Sequence, residues 1–221
     1  MNKTVCEENG LKQRQQLLHY AQQLNSSGLS VGKSGNISLR CEQGLLITPS
    51  GVAYDELGAE DLVKIDYQGQ PLGHSIYPPS SEWHFHAAIY QQRPEQNAVV
   101  HAHPSHCTAL ACTQRNIPAF HYMVAIAGGS EIPLVPYALF GSEQLAQHII
   151  ESMQHYRACL LANHGMIACG EDLPSAFGLA IEVEALAQQY VLALSIGDVH
   201  YLSEQQINEA IEQFKHYGKR E

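Results

Sequence analysis

Apolar positions along this chain repeat in two ways, at helical spacing in some stretches and in short unbroken runs in others. In "LKQRQQLLHYAQQLNSS", Leu17, Leu18, Ala21 and Leu24 share one helical stripe, and Gly28 can end the helix. "NISLRC" and "GLLITP" predict two strands around a short turn at Gly44. "PPSSEWHFHAAIYQQ" predicts a helix with Ser80 or Ser81 as N-cap and Glu82 in its first turn. "NAVVHAH" is a short strand, followed by a helix over "PSHCTALAC" with Pro104 in its first turn. "EIPLVPY" is strand-like but interrupted by Pro133 and Pro136. "SEQLAQHIIESM" predicts a helix capped by Ser142, and "ACLLANHG" an apolar strand ending in a turn. A long helix over "LPSAFGLAIEVEALAQQYVLALSIG" follows, then a last one with Ile207, Ala210, Ile211 and Phe214 aligned. Strands alternating with helices predict an α/β domain, and spacing alone leans toward repeated βα units.

Length and composition add bounds. The 221 residues suit one domain with a sizeable core. An apolar share of 45% with 15% charged residues excludes a disordered chain. The net charge is -10 and the 12 basic residues are scattered, so no nucleic-acid partner is expected. Cys6, Cys41, Cys107, Cys112, Cys159 and Cys169 form no C-x-x-C pair, and no disulfide framework is expected. "MNKTVCEENGLKQ" has no apolar signal core and no run of about 18 apolar residues occurs. No membrane association and a cytoplasmic location are expected.

The candidate chemistry begins at "VVHAHPSH". Residues i and i+2 of a strand share a face, so His101 and His103 project together. Two imidazoles side by side can hold one metal ion; the alternative is a pair of packed or solvated histidines. Zinc needs three or four ligands and a catalytic site keeps one position open. His164, at the end of the apolar run in "LLANHGMIACG", is the candidate third ligand. His84 and His86 lie at i and i+2 of a helix, which do not share a face; they, with His121, His148, His155 and His216, read as packing or surface groups, and His106 as a weak supporting partner of the pair.

Three polar segments point to an anion: "SGNIS", "TPSG" and "PSSE". Each joins small hydrogen-bonding residues to a turn or a helix start, where backbone N–H groups and hydroxyls can meet a phosphate. Each alone is more often a plain turn or cap. None is a Walker loop or a dinucleotide fingerprint.

Taken in order, "SGNIS", "ITPSG", "SSEWHFH", "VVHAHPSHCTAL", "HYMVAIAGG" and "ANHGMIACG" resemble the class II aldolase/adducin superfamily across most of the chain. Within it, the pattern is most similar to the bacterial branch that cleaves L-fuculose 1-phosphate. The resemblance implies a single domain with a mixed, mainly antiparallel sheet flanked by helices, against the βα leaning of the spacing. It implies a lyase that cleaves a ketose 1-phosphate to dihydroxyacetone phosphate and a small aldehyde, L-lactaldehyde for L-fuculose 1-phosphate. His101, His103 and His164 would hold one zinc ion per subunit. Glu82 would be the catalytic acid/base. Gly35, Asn36, Ser50, Gly51, Ser80 and Ser81 would bind the substrate phosphate. Tyr122 and Tyr217 would reach into a neighbouring subunit's site, in a homotetramer with active sites at subunit interfaces.

Two positions depart from the close branch: Lys33 stands where it has a small hydroxylated residue, and Asn163 where it has another histidine. A pentulose-5-phosphate 4-epimerase, a phosphorylated sugar-acid decarboxylase and a methylthioribulose-phosphate dehydratase share the scaffold. Glu82, "HYMVAIAGG" and "KHYG" favour the aldolase. A non-catalytic module of the adducin kind would be expected to lack a ligand or the acid/base, and here all are present.

Overall fold

A computed structural model describes residues 3–216. The strands are β1 (Asn36–Cys41), β2 (Gly44–Ile47), β3 (Val63–Ile65), β4 (Ala98–Ala102), β5 (Ile117–Pro118), β6 (Glu131–Ile132), β7 (Leu134–Val135), β8 (Ala158–Leu161) and β9 (Gly165–Gly170). The helices are α1 (Lys3–Ser26), α2 (Trp83–Gln92), α3 (Ser105–Cys112), α4 (Glu143–Ser152), α5 (Leu173–Ile196) and α6 (Glu204–His216), with a 3-10 turn over Tyr122–Ala127. Seven strands form one sheet in the order β3-β2-β1-β4-β9-β8-β7, and β5 and β6 pair separately. Within the large sheet only β7 and β8 run parallel. The sheet is therefore mixed and mainly antiparallel, and the βα units favoured by spacing are not formed. Hairpins replace crossovers because β1–β2 and β8–β9 are joined by tight turns, and such turns link only antiparallel neighbours.

Alternation along the central strands decides which helices cover which face. Ala98, Val100 and Ala102 of β4 pack in one layer with Leu17, Ala21 and Leu24 of α1, Leu110 of α3 and Val183 of α5. Val99 belongs to the opposite layer, with Phe85, Ile89 and Tyr90 of α2 and Leu145 and Ile149 of α4. Both faces are covered, which is why β4 and β9 read as continuous apolar runs rather than as alternating ones. α6 packs in a third cluster through Ile207, with Ala210, Ile211 and Phe214 against it, as its periodicity predicts.

Local departures from expectation have local causes. The "EIPLVPY" run is split at Pro133 between the two sheets, because proline has no N–H for a ladder. Pro104 is the N-cap of α3, not a first-turn residue. The Ser142 cap of α4 forms as expected, its hydroxyl accepting from Leu145 N at 3.1 Å. Although no unbroken apolar run of 18 occurs, α5 is long and apolar enough by length and composition to cross a membrane. It is instead the main helix of the first layer: Leu173, Ala176, Phe177, Ala180, Val183, Leu186 and Ala187 are buried in that core. Glu184, on the same helix, accepts from His106 N, Cys107 N and His106 Nδ1, which ties α5 to the start of α3. His106 is thereby spent on Glu184 and is not a partner of the histidine pair.

Leu160 is fully buried in the layer that α3 and α5 cover. Leu160→Ala is expected to cost about 2–5 kcal/mol in chemical denaturation; a loss well below that range would contradict close packing between sheet and helices.

Candidate active site

The three histidines come from two adjoining strand ends. His101 is the fourth residue of β4, fully buried, and pairs across the ladder with Ile167 of β9 and Asn36 of β1. His103 lies one residue past the strand. His164 sits in the turn between β8 and β9, preceded by Asn163 at a φ of 56°. Asparagine is one of the few residues that visits this left-handed region readily, and its side chain is held by Gln114 Nε2 at 2.9 Å. Gly165 is needed next: a Cβ there would collide with the carbonyl of Ala102 and with the His103 ring.

These constraints bring ring nitrogens of all three histidines within 4.8 Å of one another. Nε2 of His101 and Nε2 of His103 are 2.9 Å apart. His101 Nδ1 lies 2.9 Å from the carbonyl of Met166 and must donate to it, so in the neutral ring the lone pair is on Nε2, facing the cluster. Burial and the neighbouring His101 push His103 down to about 3 and His164 to about 4. Both are therefore neutral at physiological pH, the form that binds a metal.

Glu82 closes the cluster. The helix starts at Trp83, so Glu82 is itself the N-cap of α2, and neither Ser80 nor Ser81 caps the helix. Ser80 Oγ instead accepts from Glu82 N at 3.3 Å. Oε2 of Glu82 is 3.1 Å from His101 Nε2, and Oε1 is 3.4 Å from His164 Nε2. Burial favours the neutral carboxyl, but His101, His164 and a hydrogen bond from Asn36 outweigh it and hold the group below the usual carboxylate range. His101 moves the other way: burial lowers it and Glu82 more than offsets that. Oε1 is buried with no hydrogen-bond partner. Three converging imidazole nitrogens, two of them on rings held neutral, form a donor set that fits one divalent metal, with the Glu82 carboxylate beside it.

The polar loops adjoin this cluster. Thr48–Gly51 and Pro79–Glu82 are zipped together, Ser50 N donating to Pro78 O and Ser80 N to Thr48 O. Gly35 has a φ of 80°, and a Cβ there would lie 2.7 Å from the His101 carbonyl, so only glycine lets the first loop lie against β4. Tyr54 fixes that loop by donating to Gly35 O at 2.7 Å. One cavity of about 390 Å³ is lined by Gly35, Asn36, Ser50, Gly51, Ser80 and Ser81 together with Glu82, His103 and His164. Lys33 lines it too, as its only lysine or arginine, and Tyr137, Ala138 and Phe140 add an apolar wall. The sequence alone gave no signal for that wall.

Tyr122 is not brought to this cavity. It opens the 3-10 turn, is 54% exposed, stacks on Phe214 and lines a separate hollow with Met123 and Ile126. Tyr217 lies outside the described residues. His84 stacks on Trp83 as a packing group. His86 is more than that: it is fully buried and bonded to Asn36 and Ser38. Its signal was its position four residues after Glu82, on the same helical face.

The family profile "Class II Aldolase and Adducin N-terminal domain" matches residues 15–191. The chain belongs to the class II aldolase/adducin family. It is 45% identical over 210 residues to an L-fuculose phosphate aldolase of Escherichia coli, covering 95% of this chain and 97% of the relative. It is 47% identical over 205 residues to a 5-methylthioribulose-1-phosphate/5-deoxyribulose-1-phosphate aldolase of Rhodospirillum rubrum, covering 93% and 92%. A solved L-fuculose 1-phosphate aldolase superposes with a TM-score of 0.88 at 36% identity, covering 92% of this chain and 96% of that one. The protein is thus an enzyme, a class II aldolase of the lyase class, and class II aldolases depend on a metal.

The buried histidines set a pH dependence for the metal-free protein. His86 and His103 are lowered from 6.5 to about 3, and His164 to about 4. Between these values and 6.5 the unfolded chain binds protons that the folded chain refuses, so stability falls as pH drops. Glu82, lowered from 4.5, adds a loss of the same sign at lower pH. His101 is raised, so its contribution is full below 6.5 and is lost as pH rises through its folded value. Below pH 6.5 the His101 contribution is constant and does not oppose the other three, and the thermal midpoint of chelator-treated protein is expected to fall between about pH 6.5 and pH 4.5. A flat or rising midpoint would contradict the burial of these rings.

Proposed function

We propose that the protein cleaves a ketose 1-phosphate, L-fuculose 1-phosphate foremost, to dihydroxyacetone phosphate and L-lactaldehyde, with one zinc ion per subunit on His101, His103 and His164. The observation that carries this reading is the single cavity in which the three anion-binding loops meet Glu82 and the histidine cluster. Gly35, Asn36, Ser50, Gly51, Ser80 and Ser81 bind the substrate phosphate, largely through hydroxyls and backbone N–H groups, and so fix the distance from phosphate to reacting carbons. Because the Asn36 side chain is engaged with Glu82 and His86, only its second amide hydrogen remains for the phosphate. When bound, zinc supplies Lewis-acid stabilisation of the negative charge that develops as the C3–C4 bond breaks. Glu82 delivers a proton to C3 in cleavage and removes it in the reverse reaction.

Tyr122, exposed and turned away from its own chain's cavity, takes the role of moving the C4 hydroxyl proton in a neighbouring subunit, and Tyr217 is assigned to the same site. This gives a homotetramer with shared sites. The chain acts in the cytoplasm.

A second reading takes a ketose 1-phosphate with a 5-methylthio or 5-deoxy end. The relative from Rhodospirillum rubrum favours it, and the apolar wall of Tyr137, Ala138 and Phe140 suits either short apolar tail.

Release of dihydroxyacetone phosphate should be followed from L-fuculose, L-rhamnulose, L-ribulose, D-ribulose, 5-deoxyribulose and 5-methylthioribulose 1-phosphates, with and without chelator. The expected result is chelator-sensitive release, fastest from L-fuculose 1-phosphate. Fastest release from a 5-deoxy or 5-methylthio substrate selects the second reading, and no release from any of them overturns both. Glu82→Gln is expected to abolish turnover with zinc still bound; retained activity would remove Glu82 from the proton step. Lys33→Ser is expected to raise KM roughly 2- to 5-fold at low salt, the scale of an exposed ion pair, and an unchanged KM would place the ammonium away from the phosphate.

A further inference from the structure

Behind Glu82 runs a line of buried polar side chains that the mechanism above does not use. Asn36 Nδ2 donates to Glu82 Oε2 at 2.9 Å. Asn36 Oδ1 lies 2.5 Å from His86 Nε2, His86 Nδ1 lies 2.7 Å from Ser38 Oγ, and Ser38 Oγ lies 2.7 Å from Tyr90 Oη. Ser38, His86 and Tyr90 are all fully or almost fully buried. The arrangement is built from two periodicities. Asn36 and Ser38 are i and i+2 of β1 and share the face toward α2, while Glu82, His86 and Tyr90 follow at steps of four along one side of α2.

The direction of every bond in this line follows from one end. An ionised carboxylate only accepts, so the Asn36 amide must turn its NH₂ to Glu82 and its carbonyl to His86. His86 Nε2 must then donate, which leaves Nδ1 as acceptor. The Ser38 hydroxyl therefore donates to His86 and accepts from Tyr90. All four hydrogen bonds of the line are satisfied in one orientation, and hydrogen bonds aligned head to tail reinforce one another.

We infer that His86 is a positioning residue for the aldolase reaction: through Asn36 it locks Oε2 of Glu82 in place and leaves Oε1, the unpartnered oxygen, to exchange the proton with substrate. The inference rests on the reading of Glu82 as the acid/base. His86 touches no substrate. Its effect reaches the reaction through Asn36, chiefly in the aim of the carboxylate and so in kcat, with a smaller effect on KM through the amide hydrogen that Asn36 keeps for the phosphate.

Enzyme variants and one spectrum test this. In zinc-loaded His86→Leu, kcat is expected to fall about 10- to 100-fold, the usual scale for a buried partner of a catalytic group, with KM nearly unchanged and one metal per chain. His86→Gln keeps a donor near the Nε2 position and is expected to recover most of kcat, which a purely space-filling role would not produce. Adding His86→Leu to Asn36→Ala is expected to change kcat less than about twofold, because the path through Asn36 is already cut. Wild-type kcat in folded His86→Leu, or the full loss repeated on top of Asn36→Ala, would overturn the inference. Should His86→Leu fail to fold, Ser38→Ala, which removes the bonds to His86 Nδ1 and Tyr90 Oη and leaves the His86–Asn36 bond, is expected to lower kcat with KM nearly unchanged, and an unaltered kcat overturns the inference equally. The substrate-independent arm is the ¹⁵N spectrum of the histidine-labelled holoenzyme, in which His86 is expected as the Nε2–H tautomer. The Nδ1–H tautomer would overturn the bond direction even if no ketose phosphate were turned over, whereas failure of turnover alone would count against the aldolase substrate and not against the line of bonds.

Discussion

Antiparallel pairing of β1 with β4 sets Asn36 opposite His101, and most of the site depends on that register. Cross-strand partners share a sheet face, so one pairing presents Asn36, at the start of β1, and the first histidine to the same helix. A slip of one residue would turn both to the α1–α5 layer, where apolar side chains leave no partner for either. Ile37 and Val100, the next pair, are buried in that layer and oppose such a slip. Glu82 meets Asn36 and His101 because α2 lies over this face, with Phe85, Ile89 and Tyr90 packed on it. Apolar packing thus sets the carboxylate's place, and polar bonds set its orientation.

The electrostatics of the cluster explain why such a site must be held by a rigid frame. A carboxylate and three imidazoles, mostly buried, would each prefer water to one another's company without compensation. Compensation comes from the Met166 carbonyl on His101, the Asn36 amide on Glu82 and the mutual attraction of Glu82 and His101. What remains unpaired is Oε1 of Glu82, on the cavity side. Leaving a buried acceptor open lowers stability, and the fold carries that cost where the proposed reaction would need an oxygen free to meet a substrate proton. The sheet and α2 supply the rigidity, and the anion loops, which need glycine at Gly35 and Gly51, supply the open side.

Much of this could be read from residues in order. The period-two rule put His101 and His103 on one side, and the apolar run into His164 marked a strand end; both hold. Helical stripes placed α1 and α6, and the expected helices over α2, α3, α4 and α5 are also present. Pairing was another matter, because spacing says where a strand lies but not which strand it joins, and β9 went unseen as a strand although it is the ladder partner of both β4 and β8. β3 is only three residues long and leaves little periodicity to detect. His86 was passed over because it was compared with His84, two residues away, when the relevant neighbours are Glu82 and Tyr90, four residues to either side. Its partners on β1 depend on tertiary packing, which no local pattern contains.

For the proposed reaction, the cavity formed by one chain lacks a group for the C4 proton. Its lining brings the polar loops, the histidine cluster and a carboxylate together, but among the described residues that line it the one tyrosine is Tyr137, on the apolar wall. Tyr122 sits on a different surface, with Phe214 and the apolar edge of α6 around it. The division follows from the layers. Every face of the central sheet near the histidines is already covered by α2, α3 and α5, so a further catalytic group can enter only from the open side of the cavity. In the assembly proposed above, a second chain arriving there would bring a tyrosine without disturbing the register of β1 and β4, so that the histidine cluster and the line of bonds behind Glu82 would stay rigid while the aldehyde end is shaped by assembly.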